Sequence, residues 1–175
     1  MHKNFFDSVD SAIEGGFHLE AVLREYAAIE SRLEALLGVL GAPCGRMVLQ
    51  DSERSKVQIS HRVECLKKIY CASENIGKTK LDKSFFKSLE KWISNRNAYV
   101  HGLYKGEEKY SERSTASKEL AIEGKDLAKY LYNEVKRVRR YISSHPDVVL
   151  CTKHCYNSSC NYRDLSMEVK NNENI

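Results

Sequence analysis

The spacing of apolar residues constrains the fold of this chain more than any other feature of its sequence. Apolar side chains return at every third or fourth position over most of the 175 residues, as on one face of an α-helix. The longest such series is Leu19, Val22, Tyr26, Ile29, Leu33, Leu36 and Leu40. Only 2 prolines interrupt the chain, and no segment alternates apolar and polar residues as a half-buried strand does. The pattern therefore predicts long amphipathic helices.

Five segments of the chain are predicted to be helical. The first three cover residues 2–14, 19–40 and about 55–75. The fourth follows Asp82, which would cap it, and the fifth starts between Ser117 and Asp126 and stops near Pro146. Because amphipathic helices with short connections pack together, we expect an all-α antiparallel bundle of four to five helices over residues 1–145. The segment Lys105–Ser117 has no apolar period, so it is predicted to be a loop that could cover a neighbouring site.

The last segment, residues 146–175, is predicted to be a polar, cysteine-rich tail that is partly ordered. Its potential soft metal ligands are Cys151, His154, Cys155 and Cys160. They suggest a zinc-binding segment, but the spacing fits no common ligand pattern, and the adjacent His154 and Cys155 do not easily bind one tetrahedral ion. The alternative is a loosely ordered tail with reduced thiols, and no metal is assigned.

Composition excludes several classes of protein. Charged residues make up 30% of the chain and interrupt every apolar run before it reaches the roughly 20 residues of a membrane-spanning helix. The first residues include an early Asp7 and no long apolar core, so no secretory signal peptide is expected. The expected location is the cytoplasm, where the 6 cysteines would stay reduced. Neither a membrane partner nor a cofactor is predicted.

One polar group stands out within the helical pattern: Arg96, Asn97 and His101, followed by Gly102. Arg96 comes four residues after Trp92 and continues an apolar stripe, where a guanidinium either pairs with a carboxylate or lines a groove that receives an anion. Asn97 and His101 are four residues apart, so the amide could hold the imidazole in one tautomer. Gly102 is expected to end the helix, which would leave His101 at its C-terminus.

The pattern Arg96-Asn97-x-x-x-His101 in a small all-helical chain resembles the signature of the HEPN superfamily, the higher eukaryotes and prokaryotes nucleotide-binding domain. The resemblance covers this motif and the helix layout of residues 17–144. It implies a metal-independent endoribonuclease, in which the RNA's own 2′-hydroxyl attacks the adjacent phosphate. His101 would transfer protons, Arg96 would bind the phosphate, and Asn97 would orient the histidine or bind the phosphate. The alternative is a non-catalytic HEPN-like module that dimerises or binds a nucleotide or nucleic acid.

The resemblance also implies partners. Two protomers of the family pair so that their motifs face each other, which predicts a homodimer with RNA as its substrate. A toxin–antitoxin or phage-defence setting is implied, with an antitoxin or regulatory protein as a further candidate partner. One toxin branch carries a tyrosine two positions after the histidine, where it is nucleotidylated. Leu103 takes that position here and Tyr104 follows it, which puts such regulation in doubt.

The last predicted helix is basic. Between Lys125 and His145, six basic residues stand against two acidic ones, an excess equal to the formal net charge of +4 of the whole chain. Tyrosines are interleaved with these charges, as in proteins that follow a phosphate backbone. The candidate substrate-binding residues, around the motif and in this helix, are Tyr99, Tyr104, Lys105, Lys136, Arg137 and Arg140. The alternative is an ordinary solvated helix face.

Overall fold

Helices dominate the part of the chain that the computed structural model describes, which is residues 2–40, 58–72, 81–105, 110–144, 148–149 and 168–169. The helices are α1 (His2–Glu14), α2 (His18–Val39), α3 (Ile59–Ala72), α4 (Lys83–Lys105) and α5 (Tyr110–Ser144). Two short strands, β1 (Val148–Val149) and β2 (Glu168–Val169), pair antiparallel. The prediction of an all-α bundle of four to five helices is confirmed. The four tail residues proposed as metal ligands lie outside the described ranges.

Two predicted boundaries are wrong. The helix α5 begins at Tyr110, so the stretch from Tyr110 to Ser117, predicted as a loop, is helical. No proline or glycine interrupts this stretch, and a polar segment needs no apolar stripe to continue a helix that is anchored further along. The helix α4 continues through Gly102 to Lys105 instead of ending at the glycine. A glycine inside a helix costs only about 1 kcal/mol relative to alanine, which does not by itself end the helix.

Local hydrogen bonds set two of the helix ends. At the end of α1, Gly16 has φ 79°, a conformation that glycine adopts at no steric cost. The N–H of Phe17 donates to Ala12 O at 2.8 Å and that of Gly16 to Ile13 O at 3.2 Å, which is a Schellman cap. Asp82 caps α4 as predicted, since its Oδ1 accepts a hydrogen bond of 2.9 Å from the N–H of Phe85. That hydrogen bond lowers the pKa of the Asp82 carboxyl.

The chain divides into two compact units, and unit 1 comprises Met1–Ser31 and Lys87–Tyr130. Its apolar core is Val9, Ala12, Ile13, Ala21, Val22, Ile29, Leu89, Trp92, Ile93, Leu120, Ala121, Leu127 and Ala128. Lys125 Nζ donates to Asp10 Oδ1 at 2.5 Å, and Lys129 Nζ lies 5.6 Å from the centroid of the Phe6 ring. Because the later residue of α5 contacts the earlier residue of α1, the two helices run antiparallel here. The buried His18 Nδ1 lies 3.1 Å from Ser117 Oγ, which joins the start of α2 to α5.

Unit 2 comprises Arg32–Phe86 and Leu131–Ile175. Its apolar core is Leu33, Leu36, Leu37, Leu40, Ile59, Val63, Cys65, Leu66, Ile69, Leu81, Phe85, Phe86, Leu131, Val135 and Val138. Cys65 is a buried free thiol within this core. A polar network crosses from α3 to α5, because the hydroxyl of Tyr70 donates to Glu134 Oε1 at 2.6 Å.

Three helices of unit 1 approach each other closely at Gly124 of α5. A Cβ atom there would meet Glu25 Oε2 of α2 and would lie 2.6 Å from Cζ2 of Trp92 in α4. The Trp92 ring is fully buried, and its indole N–H donates to Leu120 O at 2.8 Å. The ring cannot move aside without losing that hydrogen bond, so this position requires glycine.

Gly124→Ala should therefore destabilise the protein, although alanine favours a helix by about 1 kcal/mol. Forcing a methyl group into a filled core costs roughly 1–3 kcal/mol, which outweighs that gain. Urea unfolding followed by circular dichroism measures the change in the free energy of unfolding. Gly38→Ala is the matched control, because a Cβ on that helical glycine meets nothing within 4 Å and should increase stability. Equal effects of the two substitutions would contradict close packing at Gly124.

Candidate anion-binding site

Arg96 lies in α4 one turn after Trp92, and both side chains contact the ring of Tyr26 in α2. The guanidinium carbon of Arg96 is 4.1 Å from the centroid of the Tyr26 ring. The Tyr26 and Trp92 rings stack with their centroids 6.5 Å apart and their planes 26° apart. The cation therefore rests on an aromatic face, an arrangement in which the ring quadrupole attracts the charge.

The hydrogen-bonding capacity of Arg96 is only partly used. Its Nη1 donates to Asn97 Oδ1 at 3.0 Å. Its Nε is buried and has no hydrogen-bond partner within the described residues, and no carboxylate of those residues pairs with it. A buried donor without an acceptor costs roughly 1–3 kcal/mol. Because solvent does not reach Nε, an anion from outside would bind the guanidinium at its terminal nitrogens. Of the two predicted roles for a guanidinium on this stripe, the groove that receives an anion fits these contacts better than the internal ion pair.

Asn97 and His101 are exposed on one line of α4. The oxygen of the Asn97 amide accepts the hydrogen bond from Arg96, so Asn97 orients the arginine rather than the histidine. His101 does not lie at the helix end as predicted, because α4 continues to Lys105. Its imidazole faces solvent, so orienting it would require a group from outside the described part of this chain.

The other candidate residues fall into two groups. Tyr99 is half-buried in α4, and Tyr104 and Lys105 continue the same helix with side chains outside the described set. These three share unit 1 with the motif, whereas Lys136, Arg137 and Arg140 belong to unit 2. Lys136 Nζ lies 4.3 Å from the centroid of Tyr132, and both Lys136 and Arg140 are exposed.

Arg137 has a carboxylate partner, unlike Arg96. Its Nε donates to Glu134 Oε2 at 2.8 Å and its Nη2 to Oε1 at 2.6 Å, a bidentate pair. Glu134 is buried and also accepts the hydroxyl of Tyr70. These hydrogen bonds raise the pKa of Arg137, and they leave it less able to bind a phosphate than an unpaired arginine.

Glu25 is the second unusual polar group of unit 1. The residue is 1% exposed, and neither carboxyl oxygen has a hydrogen-bond partner among the described residues. Burial raises the pKa of Glu25 from 4.5 to about 9; Lys125 counteracts this rise, while Asp10 and Asp126 add to it. The carboxyl group is therefore protonated and neutral at pH 7.

The sequence contained weak signals for the residues that were not predicted. Tyr26 was assigned to the apolar stripe of α2, and nothing in the sequence pairs it with Arg96. Glu25 lies four residues from both Ala21 and Ile29, which places it on a buried line of the helix. Gly124 lies between Ala121 and Ala128 on one face of α5, and such a line of small residues indicates a close helix approach.

Comparison with known proteins identified no relative. No model of a known protein family, no curated protein and no solved structure matches the chain. Within the described ranges, no helix is both long and apolar enough to cross a membrane. The same ranges contain no cluster of three or more histidine, cysteine or acidic side chains that could hold a metal ion.

The protonated state of Glu25 predicts a pH-dependent effect of Glu25→Gln. Between the ordinary pKa of 4.5 and the folded value of about 9, the unfolded state has lost the proton that the folded state keeps. The wild type should therefore lose stability relative to Glu25→Gln as pH rises through this window, by up to roughly 1 kcal/mol per pH unit. Urea unfolding at several pH values measures the difference.

Glu119→Gln is the control for this experiment, since Glu119 is an exposed glutamate of the same unit. It should follow the wild-type profile across the whole range. A constant difference between the wild type and Glu25→Gln from pH 5 to about 9 would show that Glu25 is already ionised at pH 5.

Proposed function

We propose that this protein is a metal-independent endoribonuclease of the HEPN type, which acts as a homodimer in the cytoplasm, in a toxin–antitoxin or phage-defence setting. The observation that carries the proposal is the Arg96 guanidinium. It is held by an aromatic face and an amide, it has a buried donor without an acceptor, and no described carboxylate neutralises it. A phosphodiester supplies both the negative charge and the acceptors that this group lacks.

The reaction needs two proton transfers and one centre of positive charge. The 2′-oxygen forms a bond to phosphorus as a base removes its proton, and the bond from phosphorus to the 5′-oxygen breaks as an acid protonates the leaving oxygen. The products are a 2′,3′-cyclic phosphate and a 5′-hydroxyl. His101 is an imidazole open to solvent, and histidine is the side chain that most often serves as general acid or base. Arg96 would stabilise the charge that accumulates on the phosphate oxygens.

A second copy of the chain would complete the acid–base pair. The motif of one chain contains a single histidine, whereas the reaction uses a base and an acid, and a two-fold dimer supplies two histidines to one cleft. Among the described residues of α4, the exposed side chains between Lys91 and His101 are uncharged: Ser94, Asn95, Asn97 and Ala98. Because 30% of the whole chain is charged, an uncharged face of this kind favours contact with another protein surface.

One observation favours the second candidate, a non-catalytic HEPN-like module that dimerises or binds a nucleotide or nucleic acid. The Asn97 amide oxygen is engaged with Arg96, so no described side chain orients the His101 imidazole. Such a site can bind an anion without performing proton transfer. The two candidates therefore agree on Arg96 and differ on His101.

The direct test is incubation of the purified protein with mixed-sequence single-stranded RNA in excess EDTA. We expect cleavage that leaves 2′,3′-cyclic phosphate ends, and no cleavage of the same RNA carrying 2′-O-methyl groups. Arg96→Ala and His101→Ala should each lower the rate by at least about a hundredfold. His61→Ala is the matched control, because His61 is another exposed helical histidine and belongs to unit 2.

The pattern of losses separates the two candidate functions. RNA binding that is lost in Arg96→Ala and kept in His101→Ala, without any cleavage by the wild type, would establish the binding module instead. Cleavage that requires added Mg²⁺ would contradict the metal-independent mechanism.

Mixing active and inactive subunits tests the shared site. Wild type and His101→Ala, unfolded together in equal amounts and refolded, should form hybrid dimers whose cleft has only one intact His101. Because the cleft needs two histidines, only the dimers with two wild-type chains should be active, and the mixture should keep about a quarter of the activity of the same total amount of wild-type protein. Sedimentation should give twice the chain mass of 20.1 kDa. A dimeric mixture that keeps about half of that activity would mean that each chain builds its own site.

A further inference from the structure

We propose that Tyr26 is a positioning residue for Arg96: its ring holds the guanidinium so that the second terminal nitrogen stays available to a phosphate. The effect of Tyr26 on catalysis rests on the proposed function. The contact itself is independent of that function, because it joins α2 to α4 within unit 1.

The ring of Tyr26 contacts two successive turns of α4. It stacks on Trp92 and lies beneath the guanidinium of Arg96, with the guanidinium carbon 4.1 Å from its centroid. An arginine has several rotatable bonds, and holding it in one geometry costs side-chain entropy. The aromatic face on one side and the Asn97 amide on another leave the guanidinium few alternative positions.

The position of Tyr26 is itself fixed by Trp92, on which its ring stacks. Trp92 is fully buried, and its N–H donates to Leu120 O of α5 at 2.8 Å. Trp92 also lies against Gly124, where there is no room even for a methyl group. The position of the arginine thus depends on packing among three helices, through one tryptophan and one tyrosine.

Removing the ring should lower the rate of RNA cleavage without changing the chemistry. Tyr26→Leu removes the cation–π contact, and we expect about a tenfold loss of kcat/KM. Tyr26→Phe keeps the aromatic face and should stay within about twofold of the wild type. Phe17→Leu is the control for the loss of an aromatic ring from the same unit; Phe17 is 63% exposed, and the variant should match the wild type.

A double-mutant cycle separates positioning from general stability. If Tyr26 acts through Arg96, then Tyr26→Leu should change little in the Arg96→Ala background. The same fractional loss in both backgrounds would overturn the proposal, as would a wild-type rate for Tyr26→Leu. Circular dichroism of each variant confirms that the helices are retained.

Nuclear magnetic resonance distinguishes failure of this inference from failure of the nuclease proposal. In the wild type the ring current of Tyr26 should shift the Arg96 side-chain protons upfield, and titration with inorganic phosphate should move the Arg96 Nε–H signal. Both effects should be weakened in Tyr26→Leu. A normal Arg96 shift in the wild type overturns the inference even if that variant does not fold. Upfield shifts in a protein that cleaves no RNA would uphold the role of Tyr26 and reject the nuclease.

Discussion

The positive charge of Arg96 rests on the face of a tyrosine and not on a carboxylate. A cation–π contact contributes about 0.5–2 kcal/mol, less than a buried guanidinium loses when one of its donors has no acceptor. Arg96 is therefore held in position without being satisfied. Arg137 shows the other solution within the same chain, because Glu134 accepts from two of its donors. Of these two arginines, Arg96 is therefore the one whose charge no described carboxylate neutralises.

The charge balance of unit 1 supports the same interpretation. Glu25, the neighbour of Tyr26 in sequence, is buried and protonated at pH 7, so it contributes no negative charge beneath the aromatic stack. Lys125 Nζ donates a hydrogen bond of 2.5 Å to Asp10 Oδ1, and this hydrogen bond raises the pKa of Lys125. Of these two acidic groups, Glu25 is therefore neutral and Asp10 is already engaged. An incoming phosphate does not have to displace a described carboxylate from Arg96.

The sequence predicted the features that depend on local periodicity, and it did not predict those that depend on distant contacts. The stripe of α2 and the cap at Asp82 follow from short-range spacing, and both are present, except that Leu19 at the start of the predicted stripe is exposed. The start of α5 at Tyr110 was not predicted, because its polar residues carry no apolar signal and one of its anchors, Ser117 to His18, joins residues 99 positions apart. The contact of Tyr26 with Arg96 was not predicted for the same reason. Arg96 itself was found because a cation on an apolar stripe conflicts with burial, and that conflict is visible without coordinates.

The described geometry fixes the arginine more firmly than the histidine, and this difference has a mechanistic meaning. Arg96 is positioned by Tyr26 and Asn97, both of the same chain, whereas the exposed His101 lacks a described side chain to orient it. Electrostatic stabilisation works only if the charge is in place before the substrate arrives. A proton-transfer group can instead be oriented when the partner surface or the RNA itself closes over it. If the protein is the dimeric nuclease proposed above, each chain supplies a preorganised anion-binding group and association completes the proton-transfer machinery.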